Sequence, residues 1–186
     1  MKTHRLAFVD IETTGLDPDR HEIIEIGCIL MDQIWHPDGR VELVHIEECE
    51  YKVKPERIAD ADPQALRVNG YNAADWVFAY TLPEAMKMLG EKTKDCIFVA
   101  HNACFDYMFI DKAFRLTGIE NKMHYHKIDT ISVAFARLGH GGDIDRFSLR
   151  ALCEFFKIEN KNAHTALADT RAMALMYEKM MNYKRS

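Results

Sequence analysis

The sequence predicts an α/β fold, a mixed sheet flanked by helices, and three observations carry that prediction. Apolar runs rich in β-branched residues fill the first part of the chain, one continuous apolar run (Cys96–Ala100) stands in the middle, and helical periodicity dominates from Phe105 onward. Strands first, with helices alternating and then taking over, fit a sheet covered by helices.

Each element follows from its residues. Leu6–Val9 is a short apolar strand that ends in Asp10, and Gly15 with Asp17-Pro18-Asp19 marks a turn. Glu22–Met31 and Val41–Val53 partly alternate around the turn Pro37-Asp38-Gly39, giving an antiparallel start of three strands. Asp62-Pro63 places an N-cap before a proline at the first helical position, and Thr81-Leu82-Pro83-Glu84 is a capping box opening an amphipathic helix to Thr93. Cys96–Ala100 has no polar alternation, as expected of a strand buried on both faces. Helices are predicted at Phe105–Leu116, Thr130–Leu138, Leu149–Phe156 and Leu167–Met181.

The 186 residues suit one domain spanning 1–186, with 48% hydrophobic and 28% charged content ordinary for a soluble protein. No window approaches the roughly 18 apolar residues of a membrane span, and Asp10 interrupts the first apolar run too early for a signal peptide. The five cysteines form no C-x-x-C pair, so neither a disulfide framework nor a zinc knuckle is expected, and a reducing cytoplasm is the expected location. A net charge of −5 argues against a protein that grips long duplexes through broad phosphate neutralisation. It leaves room for a nucleic-acid enzyme whose acids are concentrated in a cation-binding site.

Four carboxylates and one histidine fall into three short motifs: Asp10-Ile11-Glu12-Thr13-Thr14-Gly15, His101-Asn102-Ala103-Cys104-Phe105-Asp106 and His164-Thr165-Ala166-Leu167-Ala168-Asp169. Alternation along a strand turns Asp10 and Glu12 to the same face. Paired carboxylates repel unless a cation lies between them. Asp10, Glu12, Asp106 and Asp169 are hard oxygen ligands of the kind that hold two divalent ions about 3.5–4 Å apart for in-line displacement at phosphorus. Two Mg²⁺ ions are expected, with Mn²⁺ as substitute. On one continuous helix His164 and Asp169 would point about 140° apart. The last helix is therefore expected to begin just after His164, with Thr165 as cap, leaving His164 to act as general base on a metal-bound water.

Each motif alone has an ordinary reading as a turn acid, a helix cap or a loop histidine; in combination they point to one site. Other candidates are weaker. His124-Tyr125-His126 lacks a third ligand nearby, and His21-Glu22-Ile23-Ile24-Glu25 departs from the zinc-protease pattern at its fifth position.

On the motifs FVDIETTGL (Phe8–Leu16), FVAHNACFD (Phe98–Asp106) and HTALADT (His164–Thr170), supported by IDTISVAFARL (Ile128–Leu138) and SLRALCEFF (Ser148–Phe156), the chain resembles the DnaQ-like 3′-to-5′ exonucleases of the DEDDh class. The resemblance extends to the polymerase III epsilon type that proofreads. It implies a ribonuclease-H-like fold with a mixed five-stranded sheet, a two-metal mechanism and release of nucleoside monophosphates from a 3′ end. By motif it assigns the metals to Asp10, Glu12, Asp106 and Asp169 and water activation to His164. It also places Thr13, Thr14 and Leu16 against the terminal nucleotide, with Asn102 and Phe105 opposite. The stretch Leu66–Tyr71 adds Val68 and Asn69, where Asn69 occupies a position at which the family usually carries histidine.

The expectation is a metal-dependent exonuclease on single-stranded DNA 3′ ends, with no membrane partner and a polymerase partner that the sequence does not reveal. An oligoribonuclease or RNA-trimming enzyme of the same class is the first alternative, because nothing in these motifs reads the 2′-hydroxyl. A degenerate domain serving only as a binding module is the second, and retention of all five chemical residues speaks against it.

Overall fold

A computed structural model of the chain describes residues 4–139, 144–160 and 165–184. Five strands, β1 (Leu6–Thr13), β2 (Ile23–Trp35), β3 (Val41–Lys52), β4 (Ile97–Ala100) and β5 (Lys127–Asp129), form one sheet in the order β3-β2-β1-β4-β5. β1 pairs antiparallel with β2, and β2 with β3, whereas β1, β4 and β5 run parallel. The mixed five-stranded sheet expected from the sequence is present.

The described residues also form α1 (Pro63–Val68), α2 (Leu82–Lys92), α3 (Ala103–Thr117), α4 (Thr130–Leu138), α5 (Leu149–Phe156) and α6 (Ala166–Asn182). None is long and apolar enough to cross a membrane. The capping logic holds at several starts. Asp62 accepts from the Gln64 amide at 2.7 Å, and the Thr81 amide donates to Glu84 at 2.9 Å, each such cap contributing about 1 kcal/mol.

Strand alternation sorts β1 between two cores. Ala7, Val9 and Ile11 pack with Ile26, Cys28 and Leu30 of β2 against Met86 and Leu89 of α2 and Phe109, Ile110 and Phe114 of α3. Leu6 and Phe8 turn the other way, with Ile29, onto α4, α5 and α6 through Leu138, Leu152, Met173, Met176 and Met180. Burial of each such side chain is worth about 1.5–3 kcal/mol. The same alternation carries Asp10 and Glu12 onto the α6 side, directly beyond Leu6 and Phe8.

Several boundaries differ from the sequence reading. β1 runs on to Thr13 because β2 stays paired with it past the acids. β2 extends to Trp35 because β3 pairs with it throughout. α3 starts at Ala103, two residues early, behind Asn102 in the left-handed region at φ 67°. β5 has only 3 residues and no alternation to announce it; its parallel pairing with β4 makes it a strand.

Candidate active site

The site lies where β1 outruns one of its neighbours. β4 pairs with β1 only at Leu6, Ala7 and Phe8, while β2 pairs with β1 as far as Thr13. Among the described residues, β1 past Phe8 has a strand partner on one side only, and the other side opens toward the start of α3. There the Ile11 amide donates to Oδ1 of Asp106 at 3.3 Å. A carboxylate from the first turn of α3 thus takes a backbone donor beyond the end of β4, and Asp106 is only 3% exposed.

Asp169, in the first turn of α6, completes the cluster from the opposite core. Carboxylate oxygens of Asp10, Glu12 and Asp169 lie within 4.8 Å of one another. Asp106 stands beside this trio, turned onto Ile11. Asn160 donates its amide to Asp169 and holds that carboxylate from the loop before α6.

The electrostatics follow from the crowding. Burial, reinforced by Asp106, Asp169, Glu12 and Glu25, pushes the Asp10 carboxyl well above the carboxylate range. Glu12 is pushed up to about 8, first by burial and then by Asp169, Glu25 and Asp106. Asp106 is pushed up to about 7 by burial, against the lowering effect of the Ile11 bond. Acids that resist ionisation together in a partly buried cleft fit a cation site, because positive charge among them relieves both burial and repulsion. The donor set is all oxygen, which suits a hard divalent cation.

A neighbouring carboxylate that acts on Asp106 joins two helix starts. Asp129 Oδ1 accepts from the amides of Asn102, Ala103 and Ile131 at 3.1, 3.3 and 3.3 Å, tying the starts of α3 and α4 together. Burial pushes its carboxyl up, but these bonds and one from Ser132 outweigh burial and leave it below its usual range.

The last helix begins where expected, at Ala166 behind Thr165. Thr165 makes no side-chain cap bond; instead Glu25 of β2 accepts from the Ala166 amide at 2.9 Å. Glu25 is a site residue that the motif reading passed over. An acid inside the otherwise apolar run Ile23–Leu30, opposite Glu12 in the β1–β2 register, was the available signal. His164, expected as general base, lies outside the described residues.

The expected nucleotide contacts divide into those committed to the fold and those open to solvent. Thr13 donates its hydroxyl to the Gly15 carbonyl at 2.7 Å, and the Thr14 hydroxyl accepts from the Glu22 amide at 2.9 Å, so both shape the corner after β1. Asn69 donates to the Thr13 carbonyl at 3.0 Å and accepts from the Tyr71 amide at 3.1 Å. It therefore braces the same corner. A Cβ on Gly15 would lie 2.5 Å from the His21 ring, so a side chain there would require that ring to move. Leu16 is 77% exposed at the corner's tip, Val68 is exposed, and Phe105 is half-buried against Phe109 with ring centroids 5.1 Å apart. Asn102 is exposed at the start of α3. The nearby hollow between β2, β3 and α1, about 420 Å³, is lined by Glu25, Glu50, Lys52, Val68, Asn69 and Trp76 among others.

Residues 7–177 match the exonuclease family RNase_T. Ribonuclease T from Haemophilus influenzae is 32% identical over 193 residues, covering 94% of this chain and 78% of that protein. Ribonuclease T from Shewanella denitrificans is 29% identical, covering 94% of this chain and 79% of that protein. Among solved structures, Escherichia coli exonuclease I in complex with a dT13 oligonucleotide superposes with a TM-score of 0.74 at 18% identity, over 94% of this chain and 40% of that one. Exonuclease I from Methylocaldum szegediense gives 0.74 at 20% identity, over 96% and 42%. The chain thus spans less than half the length of these exonuclease I chains, and the likeness to them is one of fold, the ribonuclease-H-like fold. With the family match running through both strand motifs and the last helix, the chain belongs to the DnaQ-like 3′-to-5′ exonuclease family that includes ribonuclease T.

Proposed function

We propose that residues 1–186 act as one exonuclease domain that removes nucleotides one at a time from single-stranded 3′ ends. The observation that carries this reading is the convergence of Asp10, Glu12 and Asp169 within 4.8 Å in the cleft where β1 outruns β4, with Asp106 beside them. In this reading the four acids would hold two Mg²⁺ ions, with Mn²⁺ as substitute, and such ions would supply Lewis-acid polarisation of the scissile phosphate and of the attacking water. His164 takes the proton from that water. Leu16 and Phe105 receive the terminal base, Val68 and Asn102 border it, and Thr13, Thr14 and Asn69 keep the corner in shape to receive it. Because the net charge is −5, broad phosphate neutralisation is not available, and the grip falls on the last few nucleotides, so that a paired end has to fray first.

DNA is the first substrate reading, and contacts to bases and phosphates made without regard to the sugar are compatible with RNA as well. RNA 3′-end trimming is the second, and the name ribonuclease T borne by relatives whose alignment covers 94% of the chain favours it. A time course on 5′-labelled single-stranded DNA, blunt duplex and RNA of matched sequence tests both. Stepwise shortening of single strands to mononucleotides supports the activity, a tenfold faster rate on one of the two polymers names the substrate, and internal cleavage products refute it.

A further inference from the structure

We infer that Glu25 is a positioning residue for the carboxylate cluster: it anchors the first turn of α6 to β2 so that Asp169 meets Asp10 and Glu12. This rests on the reading of those acids as the metal site and extends it to a residue on a different strand.

Two independent contacts join β2 to the start of α6. Glu25, 3% exposed, accepts from the Ala166 amide at 2.9 Å. Two residues along, a Cβ on Gly27 would stand 2.4 Å from the Ala166 carbonyl carbon and 2.5 Å from the Leu167 nitrogen, so helix backbone rests directly on strand backbone. The register gives these contacts their meaning. Glu25 is opposite Glu12 and Gly27 is opposite Asp10, so the two positions that hold α6 are the cross-strand partners of the two acids on β1. Asp169 follows within the same helical turn, its amide bonded to the Thr165 carbonyl at 3.0 Å. A shift of that turn moves Asp169 relative to Asp10 and Glu12.

A buried acid at a helix start satisfies a free N–H and complements the helix dipole. That alone would be a stabilising cap. Placement opposite Glu12 makes it more: residues that orient metal ligands from behind typically change metal affinity about 10- to 100-fold when removed. Glutamine retains an oxygen to accept from Ala166, and its NH₂ can donate to the Glu50 carboxylate that adjoins Glu25.

The test compares wild type, Glu25→Ala and Glu25→Gln in the full chain, by amide hydrogen exchange without metal and by Mn²⁺ titration calorimetry. Glu25→Ala is expected to accelerate exchange in the first turn of α6 by at least tenfold while the β1 and β2 amides stay protected, and to weaken Mn²⁺ binding by about 10- to 100-fold. Glu25→Gln should restore both to within threefold. As a control for destabilisation alone, Met86→Ala in the opposite core should lower the melting temperature and leave Mn²⁺ affinity unchanged. The proposal is overturned by Mn²⁺ affinity in Glu25→Ala within twofold of wild type, by unchanged exchange in α6, or by a Gln variant as impaired as Ala. Should wild type and Asp10→Asn bind Mn²⁺ equally poorly, the metal reading itself fails, and the exchange arm still decides whether Glu25 fixes α6.

Discussion

The backbone amide of Ile11 donates to the carboxylate of Asp106 at 3.3 Å, joining two acidic motifs that lie 95 positions apart in sequence. The bond forms because β4 stops pairing with β1 at Phe8, leaving the rest of β1 without a strand on that side. One interaction thereby positions Asp106 and satisfies a buried donor, whose loss would cost about 1–3 kcal/mol. The acid cluster is built into the way the sheet ends.

Metal-free protein should lose stability as pH rises through the neutral range. Burial and crowding push Glu12 up to about 8 and Asp106 up to about 7 in the folded chain, above ordinary carboxylates, so the folded state holds protons that the unfolded state releases. Their contribution is complete below the ordinary carboxylate range and is lost as pH climbs through 7 and 8. Melting curves in EDTA should fall across this window, saturating Mg²⁺ should reverse the fall, and Asp10→Asn should flatten it while abolishing turnover. A melting temperature that rises with pH in EDTA contradicts the assignment, as does a tenth or more of wild-type activity in Asp10→Asn at saturating Mn²⁺.

Replacing His164 with alanine should lower the turnover rate by about 10²- to 10⁴-fold while divalent cations still bind. Calorimetry alongside single-turnover kinetics separates the two effects. Loss of metal equal to that in Asp169→Asn would make the histidine a ligand and the base assignment wrong.

Asn69→Ala should destabilise the fold by about 1–3 kcal/mol, because the Thr13 carbonyl loses its buried donor and the Tyr71 amide its acceptor. Since the corner carries Leu16, KM on single strands should rise as well. Urea melts and steady-state kinetics on one preparation check both, and a rise in KM without any loss of stability would make Asn69 a direct nucleotide contact.

Leu16→Ala should leave the melting temperature unchanged, given 77% exposure, and raise KM for single-stranded oligonucleotides several-fold with little change in kcat. Equal KM values for variant and wild type would remove Leu16 from the substrate surface.

How much was legible in the residues varies with how local each feature is. Single-residue alternation placed Asp10 and Glu12 on one face, and β1, running on to Thr13, carries them there. The cap signals at Asp62 and Thr81 and the start of α6 behind Thr165 appear where expected. β5 escaped because three residues hold no period, and the bonds by which the Thr13 and Thr14 hydroxyls close the corner are not announced by the motif.

By itself, then, the sequence determined which residues share a strand face, where helices begin, and which acids were available, because those properties depend on neighbours a few positions away and on backbone period. The tertiary structure alone decided that Asp169 reaches Asp10 and Glu12, that Asp106 takes the Ile11 amide, and that the Glu25 carboxylate accepts from the first amide of α6. Those contacts depend on strand register and on how closely α6 rests on Gly27, and the pairing of distant segments is written in no local pattern.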